Sequence, residues 1–164
     1  MQLSQRFRLA VAVIGTSVGI GGGMLAVTPA PAPAPGAAAG TFTVSGKTIQ
    51  LSHASTFRND KSIVLLLTDV AVPSAKWKDA GDEMIYRMSG HKFGGVEFYL
   101  DEKRQVTQAN YFEGDGPSGA RTALELKLDS GTGKSLTGSA HSTPFGESMS
   151  SHLKLDVRFN ASLP

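Results

Sequence analysis

Four histidines and one glycine-lysine-serine run are the places in this chain where residue type and spacing could carry chemistry. The run is LDSGTGKSL, residues 128–136. A phosphate-binding loop needs G-x-x-x-x-G-K-S/T between a strand and a helix. Gly133, Lys134 and Ser135 match its end, but Leu128 stands where the first glycine belongs. The segment that follows, KSLTGSAHS, has no helical period. Leu136, Gly138 and Ala140 alternate with Thr137, Ser139 and His141, the pattern of a strand. Asp129 to Gly133 therefore reads as a hairpin turn in which glycines take up positive φ.

The histidines are His53, His91, His141 and His152. In KTIQLSHASTF, His53 falls on one face with Ile49, Leu51 and Phe57, so it is expected to point inward. An inward polar ring must find a partner, which makes His53 either a hydrogen-bonded core histidine or the lining of a small pocket. Asp69, at the end of SIVLLLTD, suits a local turn or cap. His53 and Asp69 are the two candidate ligand-binding residues. They also define an enzymatic alternative, a small hydrolase or metal-dependent enzyme in which both side chains meet in a solvent-open cleft. His91 falls in the turn after a helical segment, while His141 and His152 lie on polar faces. The last two supply two metal ligands at most across one hairpin, and no H-E-x-x-H or other zinc spacing occurs, so no metal and no cofactor is expected. No G-x-S-x-G nucleophile is present, and the serines of GESMSS read as turn residues. Asp82-Glu83 and Asp101-Glu102 read as solvated surface acids. Tyr99, Tyr111 and Phe112 suit cross-strand aromatic packing, with a sugar- or lipid-contacting patch as the alternative.

Strands are expected to hold these residues. Leu153, Leu155, Val157, Phe159, Ala161 and Leu163 alternate with His152, Lys154, Asp156, Arg158, Asn160 and Ser162. Leu124, Leu126 and Leu128 alternate with Glu125, Lys127 and Asp129, and Val96, Phe98 and Leu100 with Glu97, Tyr99 and Asp101. Such alternation marks half-buried antiparallel strands. Turn signals at Ser45-Gly46, Asn59-Asp60, Asp101-Lys103 and the glycine-rich 114–119 separate them. The expectation is an all-β, mainly antiparallel domain of about eight strands, barrel or sandwich. One amphipathic helix is expected near 74–89, with Ser74 at its start, Gly90 at its end and Glu83 spaced to pair with Arg87. Its Trp77, Ala80, Met84 and Met88 form a stripe expected to pack on the sheet. Ile63 to Leu67 are apolar without alternation, so that strand should be buried on both faces, the second one under the helix.

The 164 residues contain no cysteine, which excludes disulfides and thiolate chemistry. Of 16 Lys and Arg, only Arg6 and Arg8 precede residue 41, leaving 14 basic against 14 acidic side chains in the rest. A neutral domain offers little to phosphate backbones, so nucleic acid is not expected as a partner. MQLSQRFR is followed by an uncharged run from 9 to 27, which reads as a signal peptide or an N-terminal membrane anchor. Residues 28–40, TPAPAPAPGAAAG, read as an extended Pro/Ala linker, and 41–164 as the β domain. Cleavage would suit Gly40, after Ala37 and Ala39, or an earlier site at Thr28 and Ala30.

GTFTVSGKTIQLSHASTF followed by SIVLLLTDVAVP resembles a group of exported bacterial domains of uncharacterised function. The likeness rests on Gly46-Lys47, Leu51, His53-Ala54, Leu65 to Asp69 and Pro73, and LKLDVRFNASL also fits. It implies export from a bacterium and a β-rich fold, with no activity attached. The combined expectation is an exported envelope protein, periplasmic or extracellular, touching membrane only through its N-terminal segment. Its domain would be a monomeric, non-enzymatic binding or structural module, with a small ligand or an envelope protein as partner. Besides the enzyme using His53 and Asp69, the other alternative is a protein-interaction module working through a strand edge.

Overall fold

The computed structural model of the chain describes residues 31–112, 117–129, 133–149 and 151–164. Nine strands form one antiparallel sheet: β1 Ala37–Val44, β2 Lys47–Asn59, β3 Ser62–Thr68, β4 Gly95–Leu100, β5 Val106–Phe112, β6 Pro117–Gly119, β7 Leu124–Leu128, β8 Ser135–Ser142 and β9 Lys154–Ser162. A 3-10 turn at Ser74–Lys76 and helix α1, Ala80–Met88, lie between β3 and β4, and a five-residue helix α2, Pro144–Ser148, precedes β9. The strand order is β6-β5-β4-β3-β2-β1-β9-β8-β7.

The sheet curls into a half-barrel, an open form between the barrel and the sandwich that strand alternation left undecided. Strands β1 and β5 stand four places apart, about 19 Å if the sheet were flat. Yet the rings of Phe42 on β1 and Tyr111 on β5 have centroids 5.9 Å apart, across the concave side. The edge strands β6 and β7 are also joined by only residues 120–123. That concave side is filled by Phe42, Leu51, Leu65, Leu67, Val96, Phe98, Leu136, Leu155, Val157 and Phe159, all buried. The inward positions expected of β8 and β9 are met: Leu136, Ala140, Leu153, Leu155, Val157, Phe159 and Ala161 are buried. KSLTGSAHS is a strand paired to β7, as its alternation requires, so the phosphate-loop reading of LDSGTGKSL has no helix to stand on. Of the hairpin between β7 and β8, 130–132 lie outside the described residues, as do 113–116 of the glycine-rich stretch before β6.

The convex side of β2, β3 and β4 carries a second, smaller apolar cluster of Phe57, Val64, Leu66, Phe93 and Phe112, with Val72, Trp77, Ala80, Tyr86 and Tyr99 packed on it. The continuous apolar run of β3 is thus divided: Leu65 and Leu67 enter the concave core, Val64 and Leu66 the convex cluster. The segment carrying α1 covers this second face, as the sequence requires.

Four details differ from expectation. The helix is shorter than 74–89, because its cap is Asp79, whose side chain accepts from the N–H groups of Gly81 and Asp82. Ser74 instead opens the separate 3-10 turn, and Gly90 does end the helical segment, at φ 91° with its N–H on Arg87 O. A second short helix, α2, adds to the one expected. β1 begins at Ala37, inside the segment read as linker, since Ala37, Ala38 and Ala39 pair with Asn160, Phe159 and Arg158 of β9. Finally, His53 does not share the core face of Leu51. Leu51 and Ala54 both enter the concave core, so the alternation of β2 slips by one residue between them. The slip lies beside an irregularity in the β1–β2 register, and it leaves His53 half-buried and outside that core.

Candidate functional site

Helix α1 meets the sheet with an unusual face. Asn59, at the end of β2, accepts from Ala80 N–H at 3.2 Å and fixes the first turn against the sheet. Trp77 lies edge-on to Phe57, centroids 5.4 Å apart, and touches Tyr86 at 5.6 Å. Tyr86 in turn stacks flat on His91 at 4.1 Å. These aromatic contacts set the rotation of the helix. The residues brought toward the sheet are Ala80, Glu83, Tyr86 and Arg87. The expected methionine stripe is not buried: Met84 is 61% and Met88 79% exposed, while Glu83 is 4% exposed. Trp77 and Ala80 do pack on the sheet, but the helix's one fully buried side chain is an acid.

A second acid faces it. Glu97 on β4, expected on a solvated face, is 2% exposed. Its register partner on β5 is Asn110, whose Nδ2 donates to Glu97 Oε1 at 2.5 Å. Gln108 Nε2 donates to Asn110 Oδ1 at 3.3 Å. The other oxygen, Glu97 Oε2, is buried and makes no hydrogen bond of ordinary geometry among the described residues. Glu83 and Tyr99 nevertheless lie within hydrogen-bonding reach of the Glu97 carboxyl, and Arg87 acts on it by its charge. The Arg87 guanidinium sits 3.9 Å from the ring centroid of Phe112 and 4.6 Å from that of Phe93, two rings that meet edge to face.

These groups perturb one another in a consistent direction. Burial, and then the neighbouring Glu97, push the Glu83 carboxyl up to about 8 against the pull of Arg87. Burial also raises Glu97, opposed by Asn110, Glu83, Arg87 and Tyr99. The Tyr99 phenol is raised by burial and by both acids. At neutral pH the two carboxyls therefore hold a proton between them. They form the floor of a pocket of about 180 Å³ lined also by Ala80, Met84, Met88 and Phe112. Cavities of about 150 Å³ accept a benzene-sized molecule.

No family model, curated protein or solved structure matches this chain. The site is read on its own chemistry.

The two residues singled out from the sequence lie elsewhere. His53 is half-buried in β2, with Ala37 and Thr68 as its register partners. Asp69 Oδ1 accepts from Gly94 N–H at 2.9 Å, a local tie between the end of β3 and the start of β4. Asp69 also borders a recess of about 320 Å³ with Lys47, Lys92 and Phe93, to which His53 does not contribute. His141 Nδ1 lies 3.3 Å from Asp156 Oδ1 and its Nε2 3.0 Å from Ser139 Oγ. His152 Nδ1 donates to Glu147 O at 3.1 Å. Among the described residues no group of three or more His, Asp or Glu is placed to hold a metal ion. Of the aromatic trio, Tyr111 packs in the concave core, Phe112 under α1, and Tyr99 at the pocket.

The signals for Glu83 and Glu97 were present but weak. A strand buried on both faces needs covered neighbours too, which bears on Glu97 in the adjacent GVEFYL. Glu83 and Arg87 share with Ala80 the same helical stripe at spacings of three and four.

Proposed function

We propose that this chain is an exported bacterial envelope protein whose β domain is a non-enzymatic module binding a small ligand in the pocket between α1, β4 and β5. One observation carries the reading: two buried carboxyls, Glu83 and Glu97, the second with an Oε2 that makes no hydrogen bond of ordinary geometry among the described residues, stand in the floor of one pocket walled by Ala80, Met84, Met88 and Phe112. Burying two acids beside one guanidinium costs stability. Folding alone gives no reason to keep the pair, whereas a ligand donor would use it. Apolar walls with a few converging polar groups are the usual composition of a small-molecule site. Export is supported by Arg6 and Arg8 ahead of the uncharged run from 9 to 27. The pairing of Ala37–Ala39 with β9 favours cleavage ahead of that segment over cleavage at Gly40. The strand-edge alternative has little length to work with, since the edge strands β6 and β7 have three and five residues.

The test is a screen of small fragments, each about benzene-sized, observed through the amide resonances of the protein. Hits should move Ala80–Met88, Glu97 and Asn110 together. Shifts confined to the Asp69 recess, or no hits at all, would refute the assignment of this pocket.

A further inference from the structure

The floor of the pocket balances in charge only while one of its carboxyls keeps a proton. Two buried carboxyls, Glu83 from α1 and Glu97 from β4, face a single guanidinium, Arg87, among the described residues. The remaining polar groups there, Tyr99, Gln108 and Asn110, are neutral. Buried charges are ordinarily paired one for one, because an unpaired one carries a large desolvation penalty. With both carboxyls ionised the site would be one positive charge short, and Glu97 Oε2 makes no hydrogen bond of ordinary geometry among the described residues. A metal ion fits this poorly, with no third acidic or histidine ligand among the described residues and a guanidinium alongside. A neutral alcohol could donate to the oxygen but would leave the proton in place. An ammonium group can take the proton's place, since it brings a full charge and three donors.

Resting on the reading of this pocket as a ligand site, we propose that its ligand class is a small primary amine. The ammonium group is held by Glu97 and Glu83, and the apolar body lies against Ala80, Met84, Met88 and Phe112. The exposed methionines at the rim are flexible and polarizable, suited to closing over ligands of differing shape. A volume of about 180 Å³ limits the body to about one aromatic ring or a short alkyl chain. In the free protein a proton takes the place of the missing cation, held by Glu83 up to about pH 8. When the ammonium arrives, that proton leaves the carboxyl pair for solvent, so amine affinity rises with pH between about 6 and 8.

The test is calorimetry of the full chain with benzylamine and benzyl alcohol as probes, at pH 7 in two buffers of different ionisation enthalpy. The amine is expected to bind at least about tenfold more tightly than the alcohol, the scale of one charge-assisted hydrogen bond. It should release close to one proton per molecule bound. Glu97→Gln should weaken the amine by about tenfold or more and leave the alcohol nearly unchanged. If Glu97→Gln fails to fold, the two probes and two buffers on the unaltered protein decide the matter without it. Alcohol binding as tightly as the amine, without proton release, overturns the ligand class and leaves the pocket standing. Neither probe binding, with no resonance shifts at α1 from either, overturns both.

Discussion

The two faces of the half-barrel are built on different terms. The concave side is apolar throughout, from Phe42 and Leu51 to Phe98 and Phe159. Buried Thr56 gives its hydroxyl to the backbone, at Ser162 O. The convex side under α1 has only five buried apolar side chains, yet it takes in two carboxyls, a guanidinium and an amide. Burial of hydrocarbon accounts for the first compartment at about 25 cal/mol per Å². It does not account for the second, where a helix turns Glu83 inward and leaves Met84 and Met88 in solvent. What the difference teaches is that the concave side makes the fold, while the convex side, where the site is proposed, buries acids that hydrocarbon packing does not call for.

The comparison breaks most sharply on deletion. Phe98→Ala, in the concave core, should lower unfolding free energy by about 3–5 kcal/mol at any pH, read from urea midpoints. On the convex side the largest effect should come from pH itself. The Glu83 carboxyl titrates near 4.5 when the chain is unfolded and near 8 when it is folded. Between those values the folded protein binds more protons, so stability falls as pH rises, by up to about 1.4 kcal/mol per unit. Glu83→Gln should flatten that slope and leave the protein more stable at pH 8 than the parent, whereas a substitution in the concave core should leave the slope intact. Removing the helix cap, Asp79→Ala, should cost about 1 kcal/mol and raise amide exchange across Ala80–Met88 with no change in β7–β9. Met88→Ser, at a 79% exposed position, should shift stability by less than about 0.5 kcal/mol while weakening whatever binds the pocket.

How far each region was legible follows from the same contrast. Alternation in LKLDVRFNASL and KSLTGSAHS located β9 and β8 and their inward faces, because one-sided burial writes itself as period two. The unbroken run of β3 correctly called for a covering element. The site was hidden by the same rules. Glu97, set between Val96 and Phe98, has the form of a solvent-facing residue, and only the helix above makes it otherwise. Glu83 and Arg87 resemble a surface ion pair, and the methionines beside them resemble a packing stripe. The rotation that exchanges those roles is set by Trp77 and Tyr86, through contacts distant in sequence from β4. His53 drew attention because strict alternation put it in the core, and the slip between Leu51 and Ala54 removed it. Asp69 proved local, as its turn position suggested, bonded to Gly94.

The most direct measurement is the titration of the glutamate side-chain carboxyls by carbon NMR, in protein labelled at that carbon, with Glu83→Gln and Glu97→Gln for assignment. The account predicts that Glu83 titrates near pH 8 and that Glu97 stays above the usual glutamate range. Removing Glu97 should also move Glu83 downward, because the Glu97 charge is one of the causes that raise it. Ordinary, independent titration of both near 4.5 would mean that the carboxyls are solvated and separate, and that the convex pocket is no more than surface.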